Sequence, residues 1–336
     1  MSPILKTTVL GDPVSSVSYP ANIFFLGYRG SIAHGMFVPQ NNPDSIDDID
    51  LMGFVFGEPR HYFGLHEWGS RGTREIKQGQ YDVVLYEARK AVSLLLQGNP
   101  NIMSMLWIEP KHRLIETTAS RTLLENRNLF AGRHVYNAFA GYAYQQLTKM
   151  ETCDPAELRG YLALTAEAKF RGIHPNHKGE RIEYPESYDA STGEARNAKA
   201  HSNEVLLTHL RRYMKKGENI GYLGDKRKQL VLRDGYDSKN AAHLIRLLRM
   251  CIEFMSTGEM IVERPDAEEL LSIKAGKWPL ADVKTLSDQL FADARAARDR
   301  SPLPPEPNHE EAEKLLISIV RDSLNSQRRT VQEATA

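Results

Sequence analysis

Residues 30–56, GSIAHGMFVPQNNPDSIDDIDLMGFVF, join a Gly-Ser turn to four aspartates and then to an apolar strand. The aspartates are Asp44, Asp47, Asp48 and Asp50. Like charges crowded against a buried strand destabilise a fold unless something positive neutralises them. Asp48 and Asp50 stand two residues apart on the predicted strand, so they share one face while Ile49 and Leu51 turn to the core. Oxygen-only ligands of this kind favour Mg²⁺ or Mn²⁺. A third carboxylate completes a site for two ions, and Asp82, opening the apolar run DVVLYE, is the best placed. Asp44, Asp47, Glu75 and Glu87 are weaker candidates, and Asp44 and Asp47 read as loop acids. Gly30 lets backbone approach a ligand closely, and exposed N–H groups in such a turn cradle phosphate oxygens. Ser31 adds a hydroxyl and Arg29 a positive charge. Phosphate on one side and metal-binding carboxylates on the other describe a nucleoside-triphosphate site.

Working outward, Ile23 to Leu26 reads as a short strand entering the Gly-Ser turn, and IDLMGFVF as a second. TREIKQGQYDVVLYE reads as two strands around a turn at Gln78-Gly79. ARKAVSLLLQG follows as a helix stopped by Gly98, Asn99 and Pro100, and NIMSMLWI as a short buried element. Strands interleaved with helices to residue 116 make a small α/β unit. From residue 117 onward helical periodicity dominates. The expected organisation is a lead-in segment over 1–20, a catalytic domain over 21–116 and a helical domain over 117–300. A polar loop insertion is expected near 172–200. Residues 301–336 read as a proline-rich connector, a last helix and a frayed tail. The fold class is α+β, a small mixed-sheet domain followed by a mainly helical one.

The chain of 336 residues carries 43 Lys plus Arg and 43 Asp plus Glu, so bulk charge advertises neither nucleic acid nor membrane. Two cysteines, Cys153 and Cys251, lack metal-ligand spacing, which points to reduced thiols. No run approaches the ~18–20 apolar residues of a membrane span, and MSPILKTTVLGDP lacks the apolar core of a signal peptide. A cytoplasmic protein is expected.

Leu26-Gly27-Tyr28-Arg29-Gly30-Ser31 followed by Asp48-Ile49-Asp50-Leu51 resembles the signature of the DNA polymerase β nucleotidyltransferase superfamily. GSIAHG…DIDLMG and DVVLYEARKAVSLLLQGNPNIMSMLW resemble a branch of predicted nucleotidyltransferases associated with RNA repair and also found in large phages. LGDKRKQLVLRDGYDSKNAAHLIRLLRMCIEF resembles that branch's helical domain. The resemblance implies transfer of an NMP group from an NTP to a hydroxyl-bearing acceptor, an RNA or tRNA end or a protein side chain, with pyrophosphate leaving. It implies that Gly30 and Ser31 bind the triphosphate, that Asp48 and Asp50 hold two Mg²⁺ or Mn²⁺ ions, and that Asp82 orients or deprotonates the attacking hydroxyl. The spacer between Ser31 and Asp48, residues 32–47, is longer than the superfamily usually shows, and PQNNPDS is read as a bulging surface loop. Alternatives are a catalytically silent nucleotide-binding protein on the same fold and a metal-dependent phosphohydrolase.

In the helical region Lys239, His243 and Arg246 fall on one helix face, suited to phosphate, opposite Leu244, Leu247 and Leu248. From Leu210 to Gly235 eight basic residues outnumber three acidic ones, a segment able to receive a nucleic-acid end through its phosphates. His174, His177 and His201 are too scattered to expect a zinc site.

Overall fold

The computed structural model describes residues 12–39, 42, 47–151, 154–170, 205–206, 208–210 and 224–335. The apolar run that follows Asp48 becomes β2 (Ile49–Val55), the middle strand of a five-stranded sheet. Its residues are buried on both faces, with only Asp50 half-exposed, as a strand covered on both sides requires. Around it stand β1 (Ile23–Tyr28), β3 (Thr73–Gln78), β4 (Tyr81–Glu87) and β5 (Arg113–Glu116), in the order β3-β4-β2-β1-β5. β2 runs antiparallel to β1 and parallel to β4, while β3 pairs antiparallel with β4 and β5 with β1. The sheet is therefore mixed, in agreement with the expected fold class.

The hairpin β3–β4 closes through Gly79 and Gln80, with Gln78 opposite Tyr81. Gly79 supplies the left-handed backbone, φ 60°, that such a tight hairpin needs. Alternate residues of the strands, Leu26, Tyr28, Ile49, Leu51, Val55, Val83 and Leu85, form one continuous core layer. Two short helices flank β2: α2 (Gly30–Ala33) after β1 and α3 (Pro59–Phe63) after β2. Beyond β4 come α4 (Ala88–Leu96), capped by Glu87, and α5 (Pro100–Met105), capped by Asn99. Both caps place a side-chain oxygen on N–H groups that the helix itself leaves unsatisfied.

The described part of the lead-in, from residue 12 onward, is packed against the sheet. Residues Pro13–Ser16 form helix α1, and Val17 is buried in the sheet core. Gln78 ties this segment down, donating to the Ser16 carbonyl (2.9 Å) and accepting from the Ser18 N–H (3.2 Å).

Downstream of the sheet the chain is helical, as expected. The helices are α6 (Thr118–Glu125), α7 (Val135–Glu151), α8 (Pro155–Phe170), α9 (Asp225–Asp234), α10 (Ser238–Thr257), α11 (Ala267–Lys274), α12 (Leu280–Asp299) and α13 (His309–Thr335). The tail expected to fray is instead the end of α13, whose helix continues to Thr335. The proline-rich connector is also held, since Pro304 and Pro305 carbonyls accept from the Arg133 and His134 N–H groups. No helix among the described residues is long and apolar enough to cross a membrane.

By contact the chain divides into two compact units that do not follow the change of content at residue 116. One comprises residues 1–144, 243–272 and 284–336, and the other residues 145–242 and 273–283. The expected insertion at 172–200, the histidines His174, His177 and His201, and the basic positions Arg211, Arg212, Lys215 and Lys216 lie outside the described residues, as does Cys153. Cys251 is a buried free thiol, its pKa pushed up to about 12 by that burial.

Candidate active site

Strand register builds the site. β2 and β4 run parallel with Asp50 directly beside Asp82, and neighbouring positions in register project to the same side of a sheet. In the β3–β4 hairpin Lys77 stands opposite Asp82, with its Nζ 3.7 Å from an Asp82 oxygen. On the other flank the Arg29 N–H donates to the Asp50 carbonyl (3.0 Å), and Arg29 Nη2 lies 3.7 Å from Asp50 Oδ1. Four side chains thus cross the sheet in one row: Lys77, Asp82, Asp50, Arg29. The two carboxylates occupy the centre, where like charges repel, and each has a cation on its outer side.

Asp48 precedes β2 and is exposed, two residues from Asp50, while Ile49 and Leu51 between and beyond them are fully buried. The face assignment read from the sequence therefore agrees with the burial, although the strand itself begins one residue after Asp48.

Gly30 has a left-handed backbone, φ 61°, and opens α2 directly against Asp50. A Cβ added at Gly30 would collide with the Asp50 carboxylate oxygen. The position demands glycine twice over, by backbone conformation and by space. Ser31 follows at half-exposure, and its carbonyl accepts from the Met36 N–H (2.8 Å). One end of the phosphate-binding segment expected from the sequence therefore lies in contact with one of the expected metal ligands.

Asp47 corrects an expectation. It is buried, not a solvated loop acid, and its carboxylate accepts from the Val38 N–H (3.1 Å). That bond spans much of the long spacer and fixes the chain just before Asp48. Asp44 lies outside the described residues. Glu87 is buried at the start of α4, where it accepts from Arg89 N and Nε, both at 3.2 Å. Its place at the far end of β4 from Asp82 makes it a cap and not a ligand of this row.

The helical cations have unequal positions. Leu244, Leu247 and Leu248 are buried, as expected, and Lys239 and His243 are half-buried. Arg246 is also buried, with Nη1 2.6 Å from His34 Nε2 and 3.3 Å from Met250 Sδ. Burial draws its pKa down to about 10, which leaves it charged at neutral pH. Of the basic segment's described members, Arg227, Lys228 and Arg233 form ion pairs with Asp237, Asp225 and Asp234.

Two residues near the site carried no weight in the sequence. Lys77 was legible in principle, because a two-residue loop at Gly79-Gln80 places residue 77 opposite 82. His34 lies within the GSIAHG segment, but its partners Val262 and Arg246 are more than 200 residues away.

The donor set fits the expected metal. Asp48, Asp50 and Asp82 offer oxygen only, and Mg²⁺ typically takes one or two carboxylates and completes its shell with water and substrate phosphate. Among the described residues no group of three or more His, Cys, Asp or Glu side chains forms a cage.

A mixed sheet carrying a Gly-Ser turn against paired strand carboxylates is the arrangement of a polymerase β-type nucleotidyltransferase domain. The model of the RNA repair pathway DNA polymerase beta family matches residues 14–164, just under half of the chain. Over that segment the chain is similar to this family of the polymerase β superfamily, in line with the resemblance read from the sequence. The match covers the whole sheet, the Gly-Ser turn and all three aspartates. No curated protein matches the chain.

Proposed function

We propose that the protein is a metal-dependent nucleotidyltransferase that moves an NMP group from an NTP to a hydroxyl of an RNA end and releases pyrophosphate. The observation that carries this reading is the parallel register that sets Asp50 beside Asp82 with Gly30 in contact with Asp50. The description of the matching family, an RNA repair pathway, supports an RNA acceptor.

In this reading Gly30 and Ser31 hold the β- and γ-phosphates through backbone N–H groups and the serine hydroxyl. Asp48, Asp50 and Asp82 would hold Mg²⁺ or Mn²⁺, which supplies charge neutralisation and polarises the α-phosphate when bound. Asp82 takes the proton of the attacking hydroxyl. A bond forms between that oxygen and the α-phosphorus as the α–β bridging bond breaks, and the leaving pyrophosphate carries away the electron pair. Arg29, released from Asp50 as the site fills, faces the charge that develops on the leaving group, where a fixed cation contributes most.

The test is transfer of label from α-³²P NTPs to RNA in Mg²⁺ or Mn²⁺, with wild type and the Asp48→Ala/Asp50→Ala variant in parallel. Loss of the ligands should lower the rate by roughly a thousandfold or more, since several kcal/mol of transition-state stabilisation are removed. Equal labelling by the two proteins would refute the assignment.

A further inference from the structure

His34 links the Gly30-Ser31 turn to the helical part of its own compact unit. Its N–H donates to the Gly30 carbonyl (3.1 Å), and its carbonyl accepts from the Arg264 N–H (3.2 Å). Its ring is buried between Val262 and Arg246, with Nδ1 2.8 Å from the Val262 carbonyl and Nε2 2.6 Å from Arg246 Nη1. Arginine can only donate, so Nε2 accepts and Nδ1–H donates to Val262. The imidazole is thereby fixed as one neutral tautomer, and burial beside Arg246 holds its pKa well below the usual histidine range.

Helix α2 is a single turn of four residues, too short to be stable by itself. Its geometry must be imposed from outside, by the burial of Ile32 in the sheet core and, at its C-terminal end, by His34. The guanidinium behind His34 is a costly device. Its hydrogen-bond partners among the described residues, the imidazole and the Met250 sulfur, are neutral, and Asp266 compensates its charge only from a distance. The nearby Arg264 spends its charge on Glu253, in a bidentate pair at 2.6 and 2.8 Å, and on Asp266. An apolar side chain at position 246 would fill the space without a buried charge to compensate.

We propose that Arg246 and His34 are positioning residues, a buried clamp that holds the Gly30-Ser31 turn in its triphosphate-binding geometry. This role rests on the nucleotide-transfer reading above. It moves Arg246 from a direct phosphate contact to one acting through His34. A turn in contact with Asp50 has little tolerance, and misplacement of a binding group by about 1 Å can cost a hundredfold in rate.

The clamp is tested by NTP binding calorimetry in Mg²⁺ and by steady-state kinetics on the full chain. The variants are Arg246→Met, Arg246→Lys, His34→Leu, His34→Gln and the double variant His34→Leu/Arg246→Met. Arg246→Met is expected to keep the wild-type melting temperature or raise it, because a buried charge is removed. Its NTP Kd and KM should nonetheless rise on the order of tenfold or more, with a smaller change in kcat. Arg246→Lys and His34→Gln, which keep the donor and the acceptor, should restore much of that loss. The double variant should lose no more than either single one, as expected of two residues acting as a unit. If His34→Leu fails to fold, the contrast of Arg246→Met with Arg246→Lys decides the matter. Wild-type NTP affinity in Arg246→Met, or additive losses in the double variant, would overturn the clamp and leave the transfer reading intact. Failure of the wild-type protein to bind any NTP would overturn both.

Discussion

Gly30 concentrates the chemistry of the site in one position. Its φ of 61° and the Asp50 oxygen beside it leave no room for a side chain. Gly30→Ala is therefore expected to lower nucleotide transfer by about a hundredfold or more. The left-handed strain should also cost roughly 1–2 kcal/mol of stability. Denaturant titration and initial rates measured on the same preparation check both figures, and unchanged transfer would place the phosphate elsewhere. At this scale the sequence was most informative about groups that act on near neighbours in the chain. The Asp48–Asp50 pair and the glycine were legible because two-residue alternation and backbone freedom are local properties. Asp47 was misread because its partner, the Val38 N–H, comes from the start of a spacer whose path no local pattern reveals. The Arg246–His34 contact spans more than 200 residues, and helical periodicity alone sent that guanidinium to the wrong surroundings.

Among the elements, β2 governs the rest, because it carries Asp50 and pairs with both β1 and β4. Gly53, one residue past the strand's midpoint, lies against the Phe25 carbonyl and the Leu85 side chain, which a Cβ would meet at 2.8 and 2.9 Å. Gly53→Ala forces extra volume between fully buried strands, and about 1–3 kcal/mol of destabilisation is expected. The denaturant midpoint should fall at an unchanged m-value. A wild-type midpoint would mean that the sheet centre is looser than these distances indicate. Apolar runs made β1, β2 and β4 readable, and the Gly79 turn made the hairpin readable. β5 escaped because its four residues, Arg113–Glu116, are half polar. α9 was placed with the helices by resemblance and not by periodicity, because most of its DKRKQLVLRD sequence is charged. The end of α13 looked like a tail because it is polar, yet the helix packs on α4 further back and continues through those residues.

For the whole molecule, residues remote in sequence share the unit that holds the site. Part of α10, most of α12 and all of α13 belong with the sheet. A linear reading by content divides the chain where helices begin, whereas the packing divides it by which helices return to the sheet. The family match ends at residue 164, so helix α10, which supplies Arg246, and the loop that supplies Arg264 lie outside it. The central claim, that this unit transfers a nucleotidyl group, is tested most directly by following both ends of one NTP. Wild type and Asp50→Asn would be given α-labelled or γ-labelled NTP with RNA and Mg²⁺. The account predicts that the α label appears on RNA and the γ label as pyrophosphate in equal amount, and that both products fall together in Asp50→Asn. Release of inorganic phosphate without labelled RNA, or equal products from the two proteins, would contradict it.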